Sequence, residues 1–284
     1  MNTKKLAVVG CGTMGSGIAQ VAVQSGLQVV AVERDEAAAK GAEARVAKGL
    51  DRLVRRERIT AEDQAAALAL LSSTTDLGAV GEADVVIEAI YEDVGQKKAL
   101  FAEVARLAAP DALLASNTST IPLVILAAAT DQPERVIGLH FFNPVPAMKL
   151  VEVIRTPASD PAVVEAGRQF AADLGKSPVL INDVPGFVGN LLVVPYLLDA
   201  IRAYERSVAE KEAIDDVIRL GFNHPMGPFA LADLIGLDIV HDMAASMYEE
   251  YKDPRYVPPP LLKQYVRMGW LGRKTGRGFY TYDR

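Results

Sequence analysis

The chain has 284 residues, 50% of them hydrophobic and 23% charged, which supplies a substantial core and is long enough for two domains. Its 30 basic and 36 acidic residues leave a formal charge of -6, which argues against a nucleic-acid-binding surface spread over the whole molecule. A single cysteine, Cys11, excludes an internal disulfide and a cysteine-built zinc site, and points to a reducing, cytoplasmic compartment.

At the N-terminus, Lys4 and Lys5 followed by Leu6 to Val9 imitate the start of a signal peptide, but Gly10, Gly12, Gly15 and Gly17 interrupt the apolar stretch. A first strand over Leu6 to Gly10 is expected instead. Further strands are expected at Val29 to Glu33, Asp84 to Ala89, Ala112 to Ser116, Val136 to Phe142, Lys149 to Ile154 and Val179 to Asn182. They alternate with amphipathic stretches, the pattern of parallel strands joined by crossover helices, and their apolar character suits a sheet covered on both faces. The longest uncharged run, between Asp111 and Asp131, carries Ser116, Asn117, Thr118, Ser119, Thr120 and Pro122, so no membrane span is expected. After Asp183-Val184-Pro185-Gly186 the strand signals fade. Helical patterning follows at Phe187 to Glu205, Lys211 to Leu220, Phe229 to Tyr251 and Leu261 to Met268, with Pro258-Pro259-Pro260 as a helix start. The expected architecture is α/β, a Rossmann-type mostly parallel sheet over residues 1–184 with an all-helical second domain over 185–284.

Gly10-Cys11-Gly12-Thr13-Met14-Gly15 follows the first strand and opens an apolar-periodic segment containing Ile18, Val21 and Ala22. Gly10 permits a tight turn, Gly12 lets the backbone approach a pyrophosphate, and Gly15 allows close packing of helix on strand. The amides at the start of that helix would hold the anion. Alone, such a loop can be only a glycine-rich turn. Glu33, at the end of the second strand, adds a carboxylate that can accept hydrogen bonds from ribose hydroxyls and repels a 2′-phosphate, favouring NAD over NADP. Arg34 beside it could accommodate such a phosphate, or simply be a solvated turn residue.

Three histidines exist, His140, His224 and His241. His140 falls late in its strand, near the carboxyl edge where ligands bind in open α/β sheets. His140 and Glu152 stand symmetrically about Pro146, so a hairpin there would set them opposite each other, the carboxylate orienting the imidazole for proton transfer. A buried structural pair is the plain alternative. His224 in a turn-rich loop and His241 among acidic neighbours read as structural, and no metal site is expected. Ser116 to Thr120 could cap a helix or bind a substrate or ribose oxygen. Asn190, the one strong hydrogen-bonding side chain in an apolar helix start, needs a partner that could be a ligand or a backbone carbonyl. Arg45, Lys48, Arg52 and Arg55 recur at helical spacing and make one face of the second helix basic.

With these residues in view, the chain resembles the short-chain L-3-hydroxyacyl-CoA dehydrogenases, bacterial 3-hydroxybutyryl-CoA dehydrogenases in particular, over essentially its whole length. The likeness rests on Val9 to Gln20, Val86-Ile87-Glu88-Ala89-Ile90-Tyr91-Glu92, Ala115 to Ser119, His140-Phe141-Phe142-Asn143-Pro144-Val145-Pro146, Asp183 to Phe187 and Gly272 to Tyr280. It implies interconversion of a 3-hydroxyacyl-CoA and a 3-ketoacyl-CoA with NAD(H). By resemblance His140 is the general base and Glu152 its orienting partner. Ser119 and Asn190 then bind the substrate oxygen or position the histidine, and Asn143 supports it. The likeness also places Gly10, Gly12, Thr13, Met14, Gly15, Glu33, Glu92, Lys97, Asn117 and Asn143 around the cofactor, and Arg52, Arg56 and Ser119 toward coenzyme A. The helical part is expected to bind substrate and to form a homodimer.

One departure is Leu191, where family members usually carry arginine, which puts an ion pair of that arginine in doubt. Two other readings remain: a non-catalytic NAD-binding or structural protein of this fold, and a sugar-acid dehydrogenase related to lens crystallin. The complete set of His140, Glu152, Ser119 and Asn190 argues against the first, and His140-Phe141-Phe142-Asn143 against the second.

Overall fold

A computed structural model describes residues 3–283. The chain divides into two compact units, Met1–Asp183 and Val184–Arg284. In the first unit the strands are β1 Lys5–Val9, β2 Gln28–Val32, β3 Leu71–Thr74, β4 Val85–Glu88, β5 Leu113–Ser116, β6 Val136–Phe141, β7 Leu150–Arg155 and β8 Ser177–Asn182. They form one eight-stranded sheet in the order β3-β2-β1-β4-β5-β6-β7-β8. Neighbours run parallel except β6 and β7, which are antiparallel. The expected mostly parallel sheet is present, followed by a helical unit.

Among the described residues, the α-helices of this unit are α1 Thr13–Gln24, α2 Glu36–Val54, α3 Ala61–Leu68, α4 Val94–Leu107, α5 Leu123–Ala127 and α6 Pro161–Asp173. Side-chain caps fix several starts: Asp35 accepts the Ala38 N–H, and Thr60 and Asp63 form a reciprocal capping box. Pro161 occupies the first turn of α6, where its missing N–H has no intrahelical partner to lose. Because strand side chains alternate between faces, Leu6, Val8, Val29, Ala31, Ile87, Leu113, Ile137, Leu139, Val151 and Val153 share one face, where they form a core with Ile18, Val21, Val46, Leu50, Val164 and Phe170. Ala7, Val30, Val86 and Leu114, on the opposite face, are also buried. Covered on both sides, the central strands are apolar throughout.

Two differences from the expected elements have physical reasons. β3 was not expected: Leu71-Ser72-Ser73-Thr74 is short, half-exposed and polar, so hydrogen bonding to β2 at the sheet edge, not apolar patterning, makes it a strand. In the second unit the helices are α7 Gly189–Glu205, α8 Lys211–Gly221, α9 Pro228–Ile235, α10 Leu237–Tyr251 and α11 Pro260–Arg267. The expected run from Phe229 to Tyr251 is therefore two helices. Gly236 has φ +108°, outside the helical region, and divides α9 from α10. This unit packs around Val194, Leu197, Leu198, Ile201, Phe229, Leu237, Val240, Met247 and Leu262. No helix among the described residues is long and apolar enough to cross a membrane.

Candidate active site

Parallel strands end at the same edge of a sheet, and here that edge gathers the polar residues of the first unit. The glycine-rich loop follows β1, Glu33 follows β2, Glu88 closes β4, Ser116 closes β5, and His140 is the penultimate residue of β6. Because β7 runs the other way, its early residue Glu152 returns to the same edge. His140 and Glu152 are directly paired in the antiparallel ladder, so their side chains emerge on one face. His140 Nδ1 lies 2.7 Å from Glu152 Oε2, and both residues are buried. A neutral imidazole that donates to this carboxylate from Nδ1–H has its lone pair on Nε2. The Phe142 ring packs on the imidazole at a centroid distance of 4.7 Å.

The glycine loop has the shape a dinucleotide needs. Gly10 has φ +86°, and a Cβ there would strike Ile90 at 2.8 Å. A Cβ on Gly15 would lie 2.0 Å from the Gly10 carbonyl oxygen, whereas one on Gly12 would meet nothing within 4 Å. Backbone is thus packed tightly behind the loop and open in front of it. Helix α1 has no side-chain cap, so its first amides face that opening, with Thr13 exposed and Met14 half-buried. Glu33 Oε1 accepts the Cys11 N–H at 2.7 Å, which fixes the carboxylate beside the loop. Burial, reinforced by the Glu33 charge, pushes the Cys11 thiol up to about 12, so this cysteine is a neutral packing group.

A second cluster lies between β4 and β5. Lys97 is 1% exposed and donates to Glu88 at 2.6 Å and to Glu92 at 3.0 Å. Glu88 also accepts from Ser116 Oγ and from the Ile90 N–H. Glu92 collects the next turn, accepting from the Thr118 hydroxyl, the Ser119 and Thr120 N–H groups and the Thr120 hydroxyl. Burial favours protonation of Glu92, but Lys97 and the donors of Thr118 and Ser119 outweigh it and hold the carboxyl below its ordinary range. Lys97, expected at the cofactor by resemblance, is enclosed between two carboxylates, and Glu92 is the part of the pair that reaches the surface.

The remaining candidates are distributed more widely. Asn117 Oδ1 accepts the Phe141 N–H at 2.9 Å and so extends the pairing of β5 and β6 past Ser116. Asn143 is exposed in the turn after β6. Asn190 is buried in the first turn of α7, in the second unit. Arg52 and Arg56 are exposed at the end of α2 and just beyond it. Arg45, on the same basic face, turns the other way: its Nε donates to the Cys11 carbonyl at 2.9 Å, and its guanidinium is 3.8 Å from Glu33. Sequence reasoning passed over Arg45 and Glu88 as parts of the site. Glu88 carried a usable signal, an acid closing an apolar strand; Arg45 did not stand apart from its basic neighbours.

A fold with this glycine loop, an acid after β2 and a histidine–glutamate pair at the carboxyl edge defines an NAD-dependent dehydrogenase. The NAD binding domain model of 3-hydroxyacyl-CoA dehydrogenase matches residues 5–184, and the model of the C-terminal domain of the same enzymes matches residues 186–282. The chain belongs to the 3-hydroxyacyl-CoA dehydrogenase family. It is 48% identical over 281 residues to 3-hydroxybutyryl-CoA dehydrogenase of Mycobacterium tuberculosis, covering 98% of each chain. It is 41% identical to human mitochondrial hydroxyacyl-coenzyme A dehydrogenase, covering 98% of this chain and 91% of the relative. Among solved structures, M. tuberculosis FadB2 aligns with a TM-score of 0.96 at 48% identity over 99% of both chains. The (S)-3-hydroxybutyryl-CoA dehydrogenase PaaH1 of Ralstonia eutropha aligns with a TM-score of 0.93 at 41% identity over the full length of both.

Proposed function

We propose that the protein interconverts L-3-hydroxybutyryl-CoA, or a closely related short-chain L-3-hydroxyacyl-CoA, with the corresponding 3-ketoacyl-CoA. The observation that carries this reading furthest is the 2.7 Å contact between His140 Nδ1 and Glu152 Oε2 at the edge that also bears the glycine loop. In the oxidative direction His140 Nε2 takes the hydroxyl proton, and the Glu152 carboxylate balances the positive charge that then develops on the ring. The chemistry that bound NAD would supply is hydride acceptance from the carbinol carbon, and hydride donation in the reverse direction. Gly12 and the first amides of α1 would cradle its pyrophosphate, with Gly10, Thr13, Met14 and Gly15 shaping the loop, and Glu33 would receive the adenosine ribose hydroxyls. Glu92, Asn117 and Asn143 would line the nicotinamide side, with Lys97 acting through Glu92. Ser119 and, from the second unit, Asn190 are the candidates to bind the substrate oxygen or position the histidine.

The exposed Arg52 and Arg56 take the phosphates of coenzyme A through paired guanidinium donors. Residues 1–184 serve as the NAD-binding domain and 185–284 as the substrate and dimerisation domain of a cytoplasmic homodimer. The direct test is to mix the protein with NADH and acetoacetyl-CoA and follow the loss of NADH absorbance. Enzyme-dependent decay that slows by about 10² to 10⁴ in His140→Gln is expected. No decay above background at any pH from mildly acidic to mildly alkaline would overturn the reading.

A further inference from the structure

The turn between β6 and β7 immediately follows the histidine strand, and three separate contacts immobilise it. Within the turn, the Ala147 and Met148 N–H groups both donate to the Pro144 carbonyl. Val145 is buried in the core of the first unit and presses against α1 at Gly17, where a Cβ would come within 2.9 Å of Val145 Cβ. The third contact comes from the loop between α6 and β8. Gly175, with φ +72°, ends the helix and turns the chain outward. The next residue, Lys176, donates from Nζ to the Val145 carbonyl at 2.6 Å and the Met148 carbonyl at 3.0 Å.

Lys176 is unusual in what it bonds. It is half-buried, and among the described residues it pairs with no carboxylate. Burial lowers its pKa, and two carbonyl oxygens of a single turn hold the charge in place. A solvated lysine needs no such arrangement, and a lysine serving only the α6–β8 loop would not reach across to residues 145 and 148. The Ser177 N–H donates to the Lys149 carbonyl at 2.7 Å, so the same short segment holds the turn through both main chain and side chain. On the other side of β6, the Asn117 side chain holds the Phe141 N–H. His140 is thus suspended between a fixed strand end and a fixed turn.

We infer that Lys176 is a positioning residue for the reaction: by tying together the two ends of the 145–148 turn, it sets the carboxyl end of β6 and with it the aim of the His140 imidazole, while Gly17 seats the same turn on the nucleotide helix. The inference rests on the proposed role of His140 as the base. Lys176 touches no reacting atom in this arrangement. Its effect falls on the geometry of proton transfer, where displacement on the order of 1 Å can cost up to about 100-fold in rate.

The test compares Lys176→Met, which keeps the length of the side chain and removes the donors, with Lys176→Arg, which keeps donors. Each is made in the wild-type and His140→Gln backgrounds and assayed with NADH and acetoacetyl-CoA. Lys176→Met is expected to lower kcat about tenfold, with KM for acetoacetyl-CoA and Kd for NADH within about twofold of wild type. Lys176→Arg should recover most of that loss. In the His140→Gln background, Lys176→Met should cost less than about twofold more, because the group it aims is gone. Full multiplication of the two losses, equal impairment by Met and Arg, or a fall in NADH affinity in step with kcat would each overturn the inference. So would a Lys176→Met variant with wild-type kcat. An inactive wild-type protein would instead remove the proposed function on which it stands, so the two failures are told apart.

Discussion

Both units bury carboxylates, and the company each carboxylate keeps differs. In the second unit, Asp215 accepts from the Phe229 and Ala230 N–H groups and from Tyr280 Oη, and Asp233 from the Phe279 and Tyr280 N–H groups and from Tyr282 Oη. Those donors are backbone amides and phenols, which carry no proton that chemistry near neutral pH would move. The two aspartates fasten the C-terminal segment to α8 and α9, and a Cβ on Gly278 would lie 2.0 Å from Asp233 Oδ1. In the first unit, Glu152 faces an imidazole, and Glu88 and Glu92 share a lysine ammonium. A buried acid is therefore not in itself a sign of catalysis. The donor opposite it decides whether it clamps structure or governs a proton.

The most direct way to break this contrast is to remove the imidazole. His140→Gln should lower kcat with acetoacetyl-CoA by about 10² to 10⁴, the usual contribution of a positioned acid-base group, while NADH binding measured by fluorescence stays near wild type. Glu152→Gln should lose less. Full activity in both variants would put this pair in the same class as Asp233. The complementary change, Asp233→Ala, strands three donors in the interior. It should destabilise the protein by about 3 kcal/mol in denaturant unfolding, with kcat per folded molecule essentially unchanged, and a selective loss of kcat without loss of stability would count against the contrast.

A smaller effect is expected from Arg52→Ala combined with Arg56→Ala. KM for acetoacetyl-CoA should rise about tenfold, less at high salt, and acetoacetyl-N-acetylcysteamine, which lacks the nucleotide, should be turned over as before. Equal loss on both substrates would move these arginines from ligand binding to structure. The smallest effect lies at alkaline pH. Burial, helped by Glu33, raises the Cys11 thiol from 9.0 to about 12. Burial, helped by Asp233, likewise raises the Tyr282 phenol from 10.0 to about 12. A group whose folded pKa is raised stabilises the fold fully below its unfolded pKa, and the contribution is lost as pH climbs toward the folded value. Denaturant unfolding across pH 9.0 to about 12 should accordingly show falling stability, with a shallower slope in Cys11→Ala and in Tyr282→Phe. An unchanged slope in both would show that neither group is linked to folding.

Much of the architecture was legible from sequence because it rests on period and punctuation. Apolar runs of strand length separated by helical periods imply a crossover sheet, and Gly10-Cys11-Gly12-Thr13-Met14-Gly15 after the first run marks its nucleotide edge. The facing of His140 and Glu152 followed from a turn at Pro146 and the alternation of a strand. What stayed hidden depended on contacts rather than pattern. β3 exists by pairing with β2, the break at Gly236 is a backbone angle inside an otherwise continuous helical period, and the enclosure of Lys97, which the resemblance placed at the cofactor, by Glu88 and Glu92 is a contact that no spacing announces. Lys176, at a helix end, has no sequence feature that distinguishes it from a C-terminal capping residue.

The reversal of β7 has a kinetic consequence. His140 and Glu152 are 12 residues apart and meet by closing a single hairpin, whereas the contacts that tie Asp233 to Phe279 and Asp215 to Tyr280 span 46 and 65 residues. Loop closure over a short segment carries a small entropic cost, and contacts of low sequence separation form early in folding. The nascent chain can therefore bring its imidazole and carboxylate together as soon as the hairpin has emerged, whereas the clasps on Phe279 and Tyr280 must wait until those residues, 46 and 65 positions beyond their aspartates, have emerged in turn.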